Sequence, residues 1–303
     1  MHIVILANPE SWYARDLTRA ASDRGHVVEV LPFRMLTAEV ATSEAAVWGE
    51  GSPLSKADAV IVRTMPPGSL EQVVFRMNLL AQLESQGVQV LNPPRAIECA
   101  VDKYLTTAKL MAAGLPVPRT IVCETADAAL AAFETLGRDV VVKPLFGSEG
   151  RGILRVTDPD LALRVFRTLE RIQAVLYLQE FIHHDGSDLR VLVLDGRVLA
   201  AMKRRGADGD FRTNVSRRGQ AEPVDLTDDQ RDWALRATAA IGARVSGVDL
   251  LYGHPGHKSR GDSDGAARGH VIEVNGVPGW KALRQVTGCD VADKIVRSLE
   301  LRG

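Results

Sequence analysis

The sequence predicts an α/β protein made of more than one packed unit, and three observations lead to it. Apolar strand-like runs alternate with helical patterns from the first residues, as in a parallel sheet with crossover helices. The chain has 303 residues, 46% of them hydrophobic, which is more than one ordinary core takes up. Glycine and proline clusters then divide the later part into shorter α+β stretches, the first clear break being Asn92-Pro93-Pro94.

In order along the chain, His2–Leu6 is an apolar strand, 14–22 a helix and Val27–Leu31 a second strand after Gly25. A third strand, Ala59–Val62, leads to Ser69, which can cap a helix reciprocally with Gln72. Leu70, Val73, Val74, Met77 and Leu80 form that helix's expected apolar stripe. Gly87 ends it before a strand over 88–91. A helix over 102–113 stops at Gly114, and Pro116 and Pro118 force an extended exit to a strand near Arg119. Next come a helix over 126–136, the strand Val140–Lys143, a glycine-rich loop over 147–152, a helix over 161–171 and a strand over 175–180. Asp195-Gly196 marks a tight turn between strands over 189–194 and 198–203. Thr227 and Gln230 can form a second capping box, opening a helix toward residue 243. Strands over 247–251 and 271–275 flank a polar insert over 253–269.

Charge excludes some functions. With 37 basic and 38 acidic residues there is no global field for nucleic acid or an anionic membrane, so any polyanion site is local. Three scattered cysteines, Cys99, Cys123 and Cys289, form no paired framework and are expected to be ordinary buried thiols of a reducing compartment. No run approaches the ~20 apolar residues needed to span a bilayer, and the first residues carry no basic leader, so a soluble cytoplasmic protein is expected.

Several segments carry chemistry. Gly147, Gly150 and Gly152, with Ser148 between them, follow a strand ending in Lys143, so close-approaching backbone amides lie beside a point charge, an arrangement suited to phosphate. A plain surface turn with a solvated lysine is the alternative. The segment lacks the Gly-Lys-Ser/Thr ending of a P-loop, and no GxGxxG follows the first strand. Gln179-Glu180-Phe181-Ile182 ends an apolar strand and can offer backbone groups to an adenine edge, or can be an edge strand only. Glu273 and Asn275 share one strand face, and Asp249 sits in another apolar strand. These hard oxygen donors suit Mg²⁺, although a structural salt bridge could also satisfy them. Lys203, Arg204, Arg205, Arg212, Arg217 and Arg218, with Thr213 and Asn214, form a basic cluster suited to phosphate or carboxylate, or simply a solvated face. Few aromatics interleave with it, which ranks nucleic acid last.

Taken in order, these segments resemble the RimK-like α-L-glutamate ligases of the ATP-grasp superfamily through nearly the whole chain. The carrying residues are 92–97 with Asp102-Lys103, Val142-Lys143-Pro144 with the 147–152 loop, Gln179 to Ile182, Asp188-Leu189-Arg190, Phe211 to Asn214, Asp249, and Glu273 with Asn275. The resemblance implies an N-terminal parallel-sheet domain (1–92) and two α+β subdomains (93–180 and 181–303) sandwiching ATP. It implies Lys103, Lys143 and Arg212 on phosphate, with Thr213 and Asn214 beside them, and Gln179, Glu180, Phe181 and Ile182 as the adenine hinge. Asp188 becomes a nucleotide contact, and Asp249, Glu273 and Asn275 become ligands of Mg²⁺ or Mn²⁺. The implied reaction joins a carboxylate-bearing acceptor to an amino acid, glutamate in this family, through an acylphosphate, in a homo-oligomer. Two rival readings are an ATP-grasp ligase for another amino acid and a nucleotide-binding regulatory module without turnover. The 253–269 insert exceeds the tight connection expected of close relatives, and its His254 and His257, with the neighbouring His270, read as solvated rather than zinc-binding.

Overall fold

The computed structural model describes residues 1–41, 45–147, 152–206, 220–254 and 269–301. The first part comprises β1 (His2–Leu6), α1 (Trp12–Ser22), β2 (Val27–Leu31), β3 (Leu36–Val40), β4 (Ala45–Gly49), β5 (Ser52–Pro53), β6 (Ala59–Val62), α2 (Leu70–Ser85) and β7 (Gln89–Leu91). A parallel sheet of order β2-β1-β6-β7 forms, as the strand-helix alternation requires. Ser69 and Gln72 make the expected reciprocal cap of α2. The expected stripe holds in part: Met77 and Leu80 enter the core with Leu79 and Leu83, and Val73 packs against it, while Leu70 is 80% exposed and Val74 47%. The small antiparallel sheet β3-β4-β5 is additional to the sequence reading, because 37–40 are exposed and show no buried alternation.

At Asn92-Pro93-Pro94 the parallel-sheet pattern stops and a helix follows directly. Pro94 starts α3 (Pro94–Val101) at a position where a missing N–H costs nothing. Asp102 closes that helix and caps α4 (Lys103–Ala112), its side chain accepting from Leu105 N, so the single helix expected over 102–113 is the second of a pair. The central sheet, order β10-β9-β11-β8, uses β8 (Thr120–Cys123), β9 (Val140–Lys143), β10 (Leu154–Val156) and β11 (Leu176–Glu180), covered by α5 (Ala126–Thr135) and α6 (Pro159–Arg171). The last sheet, order β14-β13-β12-β15-β16, uses β12 (Ser187–Leu194), β13 (Arg197–Arg205), β14 (Gln220–Pro223), β15 (Val245–Tyr252) and β16 (Gly269–Asn275), with α7 (Asp228–Ala240) against it. Asp195 and Gly196 both take positive φ, 45° and 71°, as the β12–β13 turn demands.

Packing crosses the sequence divisions. Cys99 of α3 and Leu110 of α4 join the core of the last sheet, not the central one. At the chain's end, α8 (Lys281–Thr287) and α9 (Val291–Glu300) return to the N-terminal sheet, where Leu283, Val291, Ile295 and Leu299 pack with Ile3, Ile5 and Leu17. Of the cysteines only Cys99 is buried; Cys123 and Cys289 are partly exposed. No helix among the described residues is long and apolar enough to cross a membrane.

Candidate active site

The central sheet contributes the first lysine site. Strand β9 delivers Lys143 at its end, and β11 runs antiparallel beside it with Tyr177 opposite Lys143. The Lys143 ammonium donates to Gln179 Oε1 at 2.7 Å, while Gln179 Nε2 donates to Thr120 Oγ1 and the Tyr177 hydroxyl. Burial lowers the Lys143 pKa to about 8, with Lys103 pushing the same way and Glu273 and Asp249 opposing. Lys103, in the first turn of α4, donates to the Gly147 carbonyl at 2.8 Å. Its pKa is also lowered by burial against the pull of Glu273 and Asp102. Gly147 has φ +139°, and a Cβ at Gly152 would lie 2.9 Å from Pro144 Cγ, so the ends of this loop require glycine.

In the segment expected to meet adenine, the N–H groups of Glu180 and Phe181 donate to the carbonyls of Arg119 and Asp139, and Glu180 Oε1 accepts from Arg119 N. Among the described residues no such bond engages the next residue, buried Ile182, whose N–H suits an adenine nitrogen. The Arg155 guanidinium lies 3.6 Å from the Phe181 ring centroid and forks onto Asp139.

The last sheet supplies the acidic side. Its register places Arg204 opposite Asp188, Arg190 opposite Asp249, Asp249 opposite Glu273, and Gly247 opposite Asn275. With the two-residue strand period, these side chains line one face. Asp249, 1% exposed, is held by both nitrogens of an Arg190 fork and by Arg204 Nη2 at 3.1 Å. Burial raises its pKa, but the two arginines outweigh that and hold it below the usual carboxylate range. Glu273 is different: burial and neighbouring Asp249 raise its pKa despite Arg190, Lys103 and Lys143.

These positions revise two expectations. Asp188 is committed to Arg204, with Oδ1 at 2.8 Å from Nε, so a carboxylate contact to nucleotide must displace or share that arginine. Lys203, Arg204 and Arg205 do not form an open anion patch either, since Lys203 and Arg205 face Asp185 and Arg204 faces Asp188 and Asp249. Charge-bearing neighbours two strands away were not visible in the linear cluster. Ser148, Gly150, Arg212, Thr213, Asn214, Arg217 and Arg218 lie outside the described residues.

From sequence, Asn92 read as a break and as the start of the 92–97 segment that carries the resemblance, with no contact role of its own. It is 1% exposed, donates to the carbonyls of Val245 and Gly276, and accepts from the N–H groups of Arg244 and Val245. It thereby fixes the start of β15 and the residue after Asn275. No periodicity reveals such a role; an Asn before two prolines was its only signal.

The donor chemistry fits a divalent cation. Two carboxylates and an amide oxygen on one face are hard ligands, and Glu273 faces Asp249 at an electrostatic cost that a cation would relieve. Asp249 would have to share its oxygens with Arg190 and Arg204. Lys103 and Lys143 lie near enough to Glu273 to act on it electrostatically, and Lys143 and Glu273 also feel Asp249, which puts the two lysines close to the two acids of the last sheet.

Comparison with known proteins shows the family. Residues 1–97 match the RimK PreATP-grasp domain and 100–299 the RimK-like ATP-grasp domain. The chain is 34% identical to a tetrahydromethanopterin:alpha-L-glutamate ligase of Methanosarcina acetivorans, covering 98% of each chain. It is also 34% identical to a probable alpha-L-glutamate ligase of Teredinibacter turnerae, covering 99% of this chain and 95% of that one. Among solved structures, the ATP-grasp ligase PsnB bound to a minimal precursor has TM-score 0.76 at 23% identity over 99% of both chains. A RimK domain ATP-grasp protein from Sphaerobacter thermophilus has TM-score 0.70 at 21% identity, covering 99% of this chain and 100% of that one. The chain belongs to the RimK-like ATP-grasp family.

Proposed function

We propose that this ATP-dependent carboxylate–amine ligase adds L-glutamate to a carboxylate-bearing acceptor. The observation that carries the reading is the convergence of Lys103 and Lys143 with Asp249 and Glu273, in a chain 34% identical end to end to a ligase named for glutamate addition. The acceptor classes that fit are a pterin or deazaflavin cofactor tail, a carrier protein and a protein carboxyl terminus. The acceptor carboxylate attacks the γ-phosphate of ATP to give an acylphosphate and ADP; the glutamate amine then displaces phosphate to form the amide.

This chain's contribution is positioning and charge neutralisation. Lys103 and Lys143 offset phosphate charge, and Gln179 holds Lys143 at the phosphate end of the strand that leads to the adenine hinge. Asp249, Glu273 and Asn275 would hold Mg²⁺ or Mn²⁺, which when bound neutralises the phosphate oxygens and aligns them for transfer. Arg190 and Arg204 keep Asp249 ionised and oriented.

The test incubates purified protein with ATP, Mg²⁺, isotopically labelled glutamate and a small-molecule and protein extract, then seeks products heavier by one glutamyl residue. ATP hydrolysis that no amino acid or carboxylate stimulates would reject the ligase reading. Product formation with another amino acid in place of glutamate would reject the glutamate assignment alone.

A further inference from the structure

The N-terminal sheet has an order in which β1 is flanked by β2 on one side and β6 on the other. The chain leaves β1 in one direction and returns past it in the other, which makes the carboxyl ends of β1 and β6 a topological switch point, the position where open α/β sheets bind ligands. Arg63 is the first residue after β6, and its N–H and that of Thr64 both donate to the carbonyl of Leu6, the last residue of β1. Its side chain therefore rises from the switch point itself.

The surroundings of Arg63 are unusual for an arginine. Its guanidinium carbon lies 4.4 Å from the Trp280 ring centroid and 4.9 Å from that of Tyr13. Its Nε is buried with no hydrogen-bond partner, and no carboxylate pairs with it among the described residues. Burial lowers its pKa to about 10, and only Tyr13 opposes that shift. Two partly exposed arginines near this face have acids: Arg284 and Arg19 both bind Asp16 and Asp290. Arg63 is thus a part-buried cation whose enclosed Nε has no partner and which, among the described residues, has no counterion to offset its desolvation.

The walls are fixed. Trp280 Nε1 donates to buried Asp16 at 3.0 Å, and Tyr13 meets Trp280 edge-on at 5.0 Å. The rings thereby hold the planar guanidinium with its fork pre-set. Tyr13 lies in the first turn of α1, an 11-residue helix whose N-cap Ser11 makes no side-chain cap, so that turn also favours negative charge. Trp280 follows soon after β16, the strand that carries Glu273 and Asn275, so the chain ties this clamp to the candidate metal ligands.

We propose that Arg63, clamped on Tyr13 and Trp280 at the carboxyl edge of the N-terminal sheet, binds a carboxylate group of an organic substrate of the ligase. The carboxylate belongs either to the incoming amino acid or to the acceptor's terminal residue; both present the same planar anion to the same fork. Arg63 is then a specificity-determining residue contributed by the N-terminal domain, while the lysines and acids described above handle nucleotide. That the carboxylate comes from a ligase substrate rests on the function proposed above.

The experiment is isothermal titration of the full chain, loaded with Mg²⁺ and a non-hydrolysable ATP analogue, using three probes. Glutarate is the general carboxylate probe, L-glutamate represents the incoming amino acid, and N-acetyl-L-glutamate, which has no free amine, represents the acceptor. Saturable glutarate binding is expected, weakened about tenfold or more in Arg63→Gln, as for loss of a charge-assisted hydrogen bond. Arg63→Lys should fall between, because it keeps the charge without the fork. Nucleotide affinity should be unchanged in both variants, which also reports that they fold; should Arg63→Gln not fold, Arg63→Lys carries the comparison. Selective loss of L-glutamate binding assigns the incoming amino acid, and selective loss of N-acetyl-L-glutamate binding assigns the acceptor. Equal glutarate affinity in wild type and variants, or no saturable glutarate binding to wild type, overturns the proposal. Glutarate binding that depends on Arg63 in an enzyme that ligates another amino acid removes the glutamate assignment and leaves the site standing.

Discussion

The Lys143 ammonium donates to Gln179 Oε1 at 2.7 Å, so the lysine at the end of β9 is held by a neutral amide on the neighbouring strand β11. Such an amide orients the cation without neutralising it, which leaves its charge for the phosphate proposed to bind there.

The pH dependence follows from that placement. Lys143 has a pKa of about 8, below the ordinary lysine value of 10.5, with burial as the main cause. Phosphate binds the protonated form, so affinity for a non-hydrolysable ATP analogue should fall as pH rises past about 8, and Lys143→Met should abolish that fall. In the ligand-free protein the sign is opposite. Between about 8 and 10.5 the unfolded chain binds more protons than the folded one, so this group's contribution to stability rises with pH. Titrations and thermal melts from roughly pH 7 to pH 9.5 read both limbs. Lys143→Met should cost at least about tenfold in nucleotide affinity, the scale of one charged hydrogen bond. A flat pH profile in wild type would remove Lys143 from the phosphate site.

Asp249 and Glu273 stand opposite each other on β15 and β16 but should respond differently to neutralisation. Asp249→Asn leaves Arg190 and Arg204 short of a buried counterion and should destabilise the metal-free protein by about 3 kcal/mol or more. Glu273→Gln removes a carboxylate whose charge is opposed by burial and by Asp249, so the metal-free fold should keep its stability. Both variants should lose Mg²⁺-stimulated turnover. Urea melts with and without Mg²⁺, beside a metal titration of activity, separate the two effects. Equal destabilisation by both substitutions would mean that Glu273 has a structural partner of its own.

What the sequence revealed depended on how local its cause was. Strand β9 was read to the residue, and the caps at Ser69 and Thr227 were legible because a capping box lies within four residues. The pairing of Glu273 with Asn275 on one face followed from the strand period alone. The face of α2 was legible at Val73, Met77 and Leu80 but not at its edges, because Leu70 and Leu79 are equally apolar and only the position of the sheet decides between them. The engagement of Arg190 and Arg204 with Asp249 crosses three strands, and the Tyr13–Arg63–Trp280 stack spans nearly the whole chain. Neither leaves a periodic trace.

Asn92 should prove far more sensitive than an inter-domain position suggests. Its side chain donates to two carbonyls and accepts from two backbone N–H groups, at the start of β15 and just beyond Asn275. Asn92→Ala leaves these groups buried without partners and should cost at least about 2 kcal/mol. Asn92→Asp keeps the two accepting contacts and turns an oxygen toward the carbonyls of Val245 and Gly276, so it should be no better tolerated. Denaturant unfolding of both variants checks this; an Asn92→Asp midpoint matching wild type would show that the two donated bonds contribute nothing.

The connection from β15 to β16 should be dispensable for the metal site. Tyr252 pairs with Gly269, and from there the ladder runs through Leu251 opposite His270 and Leu250 opposite Val271 to Asp249 opposite Glu273. These pairs fix where the two acids stand, and the strands flanking them are covered by α7 and by β12. Antiparallel neighbours that already pair at their ends can be joined by a two- to five-residue turn. Replacing 255–268 with a short Gly-Ser connector should therefore preserve nucleotide affinity and the Mg²⁺ dependence of turnover. Shortening a loop also lowers its closure entropy cost, by only about 0.6 kcal/mol for each halving, so stability should rise slightly or stay level. Nucleotide titration and steady-state kinetics on the shortened protein give the answer. Unchanged nucleotide affinity with a raised KM for one organic substrate would place the connection at that substrate's mouth, whereas lost Mg²⁺ dependence in a folded protein would show that the strand pairing alone does not hold Asp249 and Glu273 in place.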